Sequence, residues 1–305
     1  MGVGVENILD WGVNVVLWCQ QFSPGLDIVF KSFTFLGNEA FYLLFMPLIY
    51  WCFDRRMGAR LLVIFLFSAY VNSAAKVIAD QPRPFNYDTR VKAIVPAEGG
   101  GFPSGHTQNS VVVWAYLAYC LNKKLVWMVA GLLMVAIPLS RIYLGVHFPI
   151  DIFGGYLIGL LVLIVFFWVA PSAEAWLWQQ KLGWQLIVAV LLPLILLLAS
   201  PNRDSGCLTA AATLLGCSTG IVLERHWVRF RSKGYLWQRT LRYLLGIIVL
   251  FALWGGLRLA FHDLEPDFLF RVVRYALVGL WSGLGAPWMF SRLKLVETEN
   301  VGVNR

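Results

Sequence analysis

The chain has 305 residues, of which 59% are hydrophobic and only 14% are charged, with a formal net charge of +8. Soluble domains carry charges on about a quarter of their residues, so this composition argues against a water-soluble fold and predicts an all-α, polytopic transmembrane bundle. The cations cluster between apolar runs, which indicates membrane topology and contact with anionic headgroups rather than nucleic acid binding.

The first 24 residues predict an amphipathic helix at the membrane interface. Polar side chains interrupt its apolar pattern, and Trp11 and Trp18 suit the interface. No basic segment precedes it, so a cleaved signal peptide is not expected. Nine apolar runs of about spanning length follow, near residues 36–53, 58–79, 104–122, 125–143, 149–170, 183–199, 208–223, 241–262 and 268–290.

Nine spans place successive loops on alternate sides of a membrane. One side receives most of the cations, including Arg55, Arg56, Lys123 and Lys124. The other side receives the N-terminal helix and the loops near 80–103, 144–148, 200–207 and the acidic 263–267. The positive-inside rule then predicts that the basic loops are cytoplasmic, including the C-terminal tail over 292–305.

The five cysteines (Cys19, Cys52, Cys120, Cys207 and Cys217) lie in or beside apolar runs and have no metal-ligand spacing. They are therefore interpreted as buried thiols, and no metal or cofactor is expected.

Three short polar segments interrupt the apolar pattern between residues 76 and 151. The first contains Lys76 and Arg83, the latter between two prolines that favour extended backbone. An arginine fork can bind two phosphate oxygens, and a lysine supplies a compact charge. A snorkelling lysine and a solvated arginine are the alternative interpretation of this segment alone.

The second segment, Pro103-Ser104-Gly105-His106, opens a predicted helix. The first turn of a helix presents free N–H groups and suits an anion, while Gly105 permits close approach to the backbone. Ser104 is expected to cap the helix or bind a phosphate oxygen. An ordinary capped helix start remains the alternative.

The third segment runs from Ser140 and Arg141 to His147 and Asp151. Pro149 fits the first turn of the next helix, which places Asp151 within reach of His147. A carboxylate on one imidazole nitrogen leaves the other free for nucleophilic attack. Taken separately, these residues also suit a helix N-terminal charge and an interfacial aromatic side chain.

Together the segments read Lys-x6-Arg-Pro, Pro-Ser-Gly-His and Ser-Arg-x5-His-x3-Asp, and all three fall on the side opposite the basic loops. This pattern resembles the tripartite signature of the type 2 phosphatidic acid phosphatase, or lipid phosphate phosphatase, family, as a membrane-integral bacterial-type member. The resemblance implies a catalytic core of about five spans over 25–170, with about four further spans over 171–291. A bacterial inner membrane location is expected, and the positive-inside rule predicts that the active site faces the periplasm or exoplasm.

The resemblance implies a metal-independent hydrolase that acts on a lipid phosphate. Lys76, Arg83, Ser104, Gly105 and Arg141 would bind the phosphate. His147 would be the nucleophile that forms a phosphohistidine, Asp151 would orient it, and His106 would be the general acid.

Several alternatives remain open at this point. Phosphatidic acid, phosphatidylglycerol phosphate, sphingoid-base phosphates and polyprenyl phosphates or diphosphates all suit such a site. A phosphotransferase would share the intermediate, and a transporter or a non-catalytic lipid-binding protein would share the fold. The vanadium haloperoxidases share the signature, but they are soluble. The sequence does not predict an oligomeric state.

Overall fold

A computed structural model describes residues 3–262 and 264–298, and helices dominate this part of the chain. Within these residues, β-pairing is limited to an isolated bridge between Phe230 and Thr298. The α-helices are α1 (Val3–Gln20), α2 (Asp27–Phe35), α3 (Glu39–Leu48), α4 (Arg55–Ala79), α5 (Pro84–Tyr87), α6 (Gly105–Ser110), α7 (Tyr116–Leu121), α8 (Lys124–Tyr143), α9 (Pro149–Gln179), α10 (Leu182–Leu198), α11 (Ser205–Leu223), α12 (Leu236–Ala260), α13 (Asp267–Leu280) and α14 (Ala286–Arg292).

Short π-helical turns continue several of these helices without a break. They are Ile49–Phe53 after α3, Val111–Ala115 between α6 and α7, Glu224–Val228 after α11, and Trp281–Gly285 between α13 and α14. The all-α fold that the composition predicts is therefore confirmed.

Six helical segments of the described chain are long and apolar enough to cross a membrane. The pair Asp27–Phe35 and Glu39–Phe53, bent by 49°, makes a seventh if it forms one broken span rather than a re-entrant loop. The expected runs near 104–122 and 183–199 are also helical, but each covers only 17 residues, from 105 to 121 and from Leu182 to Leu198. The number of nine spans therefore stays a prediction. The protein is an integral membrane protein.

Large apolar side chains cover much of the outer surface of these helices. On α9, for example, Leu157 and Ile164 are each more than 60% exposed. A helix in lipid satisfies its backbone internally and presents apolar side chains to the acyl chains, so this surface suits a bilayer.

One compact unit combines residues 1–42 and 71–167. In its core, Leu9, Val13 and Val16 of α1 pack with Phe148 and Ile152 at the start of α9. A Cβ on Gly12 would lie 2.7 Å from Phe148 Cδ1, so α1 packs closely against this turn. The N-terminal helix therefore supports the segment that carries His147.

The second compact unit combines residues 43–70 and 168–305. Its helices α11 and α13 approach closely because both carry small residues at the contact: a Cβ on Gly216 would collide with Ala276, and one on Gly279 would collide with Thr213. The buried carboxylate of Glu224 accepts hydrogen bonds from Arg55 Nη1 at 3.3 Å and from Phe230 N at 3.0 Å.

Two differences from the expected element boundaries stand out. The apolar pattern does not predict helix α2, because its nine residues include Asp27, Lys31 and Ser32 and do not form a long apolar run. Helix α9 extends to Gln179, about nine residues beyond its predicted end. Asp263 of the acidic loop and residues 299–305 of the predicted tail lie outside the described residues.

Candidate active site

The His147–Asp151 pair lies at the junction of α8 and α9. Gly145 adopts φ +75°, and a Cβ there would collide with Lys92 O, so the turn after α8 requires glycine. Pro149 then starts α9 and places Asp151 in its first turn. Asp151 Oδ2 lies 3.1 Å from His147 Nδ1, and both side chains are buried. An ionised carboxylate only accepts hydrogen bonds, so His147 Nδ1 carries the proton and Nε2 keeps its lone pair.

Asp151 is held by further donors. Its Oδ2 accepts from Phe148 N at 2.9 Å, and its Oδ1 accepts from Gln81 Nε2 at 2.7 Å. Its backbone carbonyl accepts from Ser104 N at 2.9 Å, which connects α9 directly to the start of α6. These contacts fix the carboxylate relative to two of the three polar segments.

Arg83 lies in extended backbone at φ −82° and ψ 160°, as the flanking prolines predict. Its guanidinium donates from Nη1 to Val146 O at 2.9 Å, from Nε to Gly99 O at 2.9 Å and from Nη2 to Glu98 O at 2.6 Å. Nη1 also lies 3.4 Å from His147 Nε2. The backbone around residues 98–99 therefore holds a buried cation beside the free nitrogen of His147.

Lys76, near the end of α4, is held in the same way. Its Nζ donates to Gly100 O at 2.8 Å and approaches Gly101 O at 3.3 Å. The loop Glu98-Gly99-Gly100-Gly101 thus offers four successive carbonyls to Lys76 and Arg83. These backbone carbonyls therefore hold the Lys76 ammonium and the Arg83 guanidinium in defined positions.

Ser104 is the N-cap of α6, and its hydroxyl accepts from Thr107 N at 3.4 Å and from Thr107 Oγ1 at 3.0 Å. The expected capping role is therefore confirmed. A Cβ on Gly105 would lie 2.8 Å from Asn72 Oδ1, so the helix start packs tightly on α4.

A row of small residues on α9 sets the distance between α9 and α6. A Cβ on Gly155 would lie 2.7 Å from Ser104 O, and one on Gly159 would lie 3.0 Å from Gln108 O. Glycine at these positions lets the segment that carries Ser104 and His106 lie directly against the helix that carries Asp151.

Arg141 and His106 take partners from the N-terminal part of the chain. Arg141, in the last turn of α8, donates from Nη1 to Thr34 Oγ1 at 2.5 Å. Its buried Nε has no hydrogen-bond partner among the described residues. His106 Nε2 lies 2.9 Å from Asn38 Oδ1. A buried guanidinium with an unused N–H suits an anion, because an unpaired buried donor is costly.

The surroundings of His147 favour its neutral form. Burial lowers the pKa of His147 well below its ordinary value of 6.5, and the charges of Lys76, Arg141 and Arg83 lower it further. A neutral imidazole with a free Nε2 is the form that attacks an electrophile.

All eight residues singled out in the sequence lie in the unit formed by residues 1–42 and 71–167. Sequence reasoning missed three side chains that contact them: Gln81 on Asp151, Thr34 on Arg141 and Asn38 on His106. Gln81 lies inside the first polar segment, two residues before Arg83. Thr34 and Asn38 lie far along the chain from their partners.

Among residues 3–262 and 264–298 there is no group of three or more His, Cys, Asp or Glu side chains placed to hold a metal ion.

The apolar helices define an integral membrane protein, and its candidate site combines buried cations with a paired histidine and carboxylate. The model of the PAP2 superfamily matches residues 58–174, and the model of the PAP2 superfamily phosphatase transmembrane extension matches residues 208–299. Phosphatidylglycerophosphatase B of Bacillus subtilis (strain 168) is 32% identical over 158 residues, which cover 47% of this chain and 74% of that protein. The chain belongs to the PAP2 superfamily of phosphatases.

Two further similarities were found. Lipid phosphate phosphatase delta of Arabidopsis thaliana is 30% identical over 168 residues, which cover 50% of this chain but only 40% of the plant protein. The crystal structure of a transmembrane PAP2-type phosphatidylglycerolphosphate phosphatase from Bacillus subtilis is 27% identical and aligns with a TM-score of 0.47, covering 57% of this chain and 88% of that structure.

Proposed function

We propose that this protein is a membrane-integral lipid phosphate phosphatase that works through a phosphohistidine on His147. The observation that supports this most strongly is that the two ring nitrogens of His147 have different partners. Nδ1 donates to Asp151 at 3.1 Å, while Nε2 lies 3.4 Å from a guanidinium nitrogen of Arg83. A nucleophile with a fixed tautomer beside a cation is what attack on an anionic phosphate requires.

In the first step, His147 Nε2 attacks phosphorus, an N–P bond forms and the P–O bond to the lipid breaks. His106 gives a proton to the leaving lipid oxygen. Asp151 stabilises the positive charge that develops on the His147 ring, and Lys76, Arg83 and Arg141 neutralise the charge spread over the phosphoryl oxygens. The unpaired Nε of Arg141 is available for one of these oxygens.

In the second step, water attacks phosphorus, an O–P bond forms and the N–P bond breaks. His106, now neutral, accepts a proton from the water. Inorganic phosphate leaves and His147 returns to its starting form. One proton of the water goes to His106 and the other leaves with the phosphate. Because Lys76, Arg83 and Arg141 supply the charge stabilisation, the reaction is expected to proceed without a metal ion.

The lipid tail is proposed to reach the site from the bilayer, because the helices that carry the site present apolar side chains outward. The three polar segments are proposed to face the periplasm, opposite the basic loops, in a bacterial plasma membrane. The positive-inside distribution of Lys and Arg supports this orientation.

The test is phosphate release by the detergent-purified protein from a panel of lipid phosphates, with EDTA present. The panel contains phosphatidic acid, phosphatidylglycerol phosphate, a sphingoid-base phosphate and a polyprenyl diphosphate. We expect release from at least one lipid by the wild type and none by His147→Ala. Strict dependence on a divalent cation, or unchanged turnover by His147→Ala, would contradict the proposal. Transfer to an alcohol with no release of free phosphate would indicate a phosphotransferase instead.

A further inference from the structure

The corner between α2 and α3 lies outside the three polar segments but contacts two residues of the site. Asn38 Oδ1 lies 2.9 Å from His106 Nε2, and Thr34 accepts a hydrogen bond from Arg141. A Cβ on Gly37 would lie 2.5 Å from His106 Cδ2, so the backbone of this corner packs directly on the imidazole edge. The ring of His106 is thus held by this corner at its Cδ2 edge and at Nε2.

The two histidines of the site have partners of different charge. His147 donates to the carboxylate of Asp151, whereas His106 contacts the neutral amide of Asn38. A carboxylate stabilises a protonated imidazole strongly, whereas an amide oxygen orients the ring with a much smaller preference for the protonated form. The difference matches the different tasks in the proposed cycle, where His106 has to change its protonation state twice per turnover.

The charges around His106 support this distinction. The groups that act on it are Arg141 from α8, Lys76 from α4 and Arg83 from the segment between α4 and α5, and all are cations. His147 is the other titratable ring of the site, and its carboxylate, Asp151, is occupied by three donors. Glu39, the residue after Asn38, is exposed. The nearest hydrogen-bond partner of His106 is therefore an uncharged side chain.

We propose that Asn38 is a positioning residue for His106, and that its neutrality lets His106 donate a proton in the first step and accept one in the second. This inference rests on the proposed function. Asn38 Oδ1 accepts from Nε2–H and thereby fixes the ring. The proton that His106 gives to the lipid oxygen when the P–O bond breaks is replaced by one from the water that cleaves the N–P bond.

The test compares Asn38→Asp and Asn38→Ala with the wild type over a range of pH, using release of labelled phosphate from the best lipid of the panel. Asn38→Asp keeps the shape of the side chain but places a carboxylate on His106, as Asp151 does on His147. In Asn38→Asp, we expect the two limbs of the pH–rate profile that reflect protonation of His106 to move to higher pH by about one unit or more. We expect Asn38→Ala to lower kcat about 10- to 100-fold, because an unoriented acid–base catalyst loses part of its contribution.

The matched control is Asn86→Asp, which makes the same change on an exposed residue of α5. It is expected to leave the pH profile unchanged. A pH profile of Asn38→Asp that superimposes on that of the wild type would overturn the inference, and this readout does not depend on how Asn38→Ala folds. If the wild type itself releases no phosphate from any lipid, the proposed function fails first, so the two failures are distinguishable.

Discussion

Asp151 Oδ2 and His147 Nδ1 lie 3.1 Å apart in a buried turn at the start of α9. The same oxygen accepts from Phe148 N, and the other carboxylate oxygen accepts from Gln81. The pair is therefore set in one orientation before any substrate binds. Preorganised groups of this kind require no rearrangement during the reaction, which is the main advantage of an enzyme site over water.

Asp151→Asn is expected to lower kcat about 10²- to 10⁴-fold while the protein stays folded. The amide can still accept from His147 Nδ1, but it carries no charge to stabilise the imidazolium that forms on attack. The measurement is phosphate release, with circular dichroism and thermal unfolding to check the fold. Asp54→Asn is the matched control, because Asp54 caps α4 by accepting from Met57 N and asparagine caps helices equally well. Wild-type turnover by Asp151→Asn would contradict the role given to this carboxylate.

Arg83→Lys is expected to reduce kcat/KM about 10- to 100-fold and to lower stability by about 1–3 kcal/mol. A lysine has no planar fork, so it cannot reach the carbonyls of Glu98, Gly99 and Val146 together. The carbonyl of the buried Val146 that loses its donor accounts for most of the cost in stability. The measurements are steady-state kinetics and thermal unfolding.

The control for this substitution is Arg90→Lys, since Arg90 is exposed and pairs with Asp88, two residues before it. Arg90→Lys is expected to change neither kcat/KM nor stability measurably. If Arg83→Lys and Arg90→Lys had the same kcat/KM and the same stability, the guanidinium geometry of Arg83 would be unimportant.

His147 is expected to stay largely neutral until the pH falls well below 6.5. Protonation of His147 should therefore lower kcat/KM only at such low pH. The folded-state pKa of His147 is lowered by burial and by Lys76, Arg141 and Arg83, so the native protein prefers the neutral ring. The stability contributed by this preference is present above about pH 6.5 and is lost as the pH falls below it.

Two measurements check this prediction: kcat/KM against pH, and thermal unfolding of the wild type and His147→Asn against pH. The wild type should lose stability relative to His147→Asn as the pH falls below about 6.5. A constant difference between the two proteins from pH 7.5 to pH 5 would be inconsistent with a depressed pKa.

Gly155→Ala is expected to destabilise the protein by about 1–3 kcal/mol and to lower activity. Its new Cβ would lie 2.7 Å from Ser104 O and would push α6 away from α9. Gly131→Ala on α8 is the matched control, because a Cβ there meets nothing within 4 Å and alanine favours a helix. Thermal unfolding and phosphate release are the measurements. If the two alanine variants behaved alike, the contact between α6 and α9 would not determine the geometry of the site.

The sequence predicts the local structure around the candidate site residues well, because that structure depends on their immediate neighbours. Extended backbone at Arg83, the cap at Ser104 and the first-turn position of Asp151 all follow from neighbouring prolines and serines, and the structure confirms them. The helical secondary structure of the spans is equally predictable from the long apolar runs.

What the sequence does not predict is which distant side chains complete the site. Asn38 meets His106 across 68 positions and Thr34 meets Arg141 across 107, and neither contact leaves a periodic or spacing signal. Helix α2 is short and contains two charged residues, so it does not register as a membrane span on its own. The contacts of the loop carbonyls with Lys76 and Arg83 depend on backbone positions and not on side-chain type.

The central claim is that His147 becomes covalently phosphorylated. The most direct measurement mixes the purified protein with lipid carrying a labelled phosphate, quenches in alkali because phosphohistidine is labile in acid, and locates the label by peptide mass spectrometry. Label on His147 in the wild type, its accumulation in variants that slow the second step, and its absence in His147→Ala are the predicted results. Label on any other residue, or turnover with no label on His147 at any time before the steady state, would contradict the account.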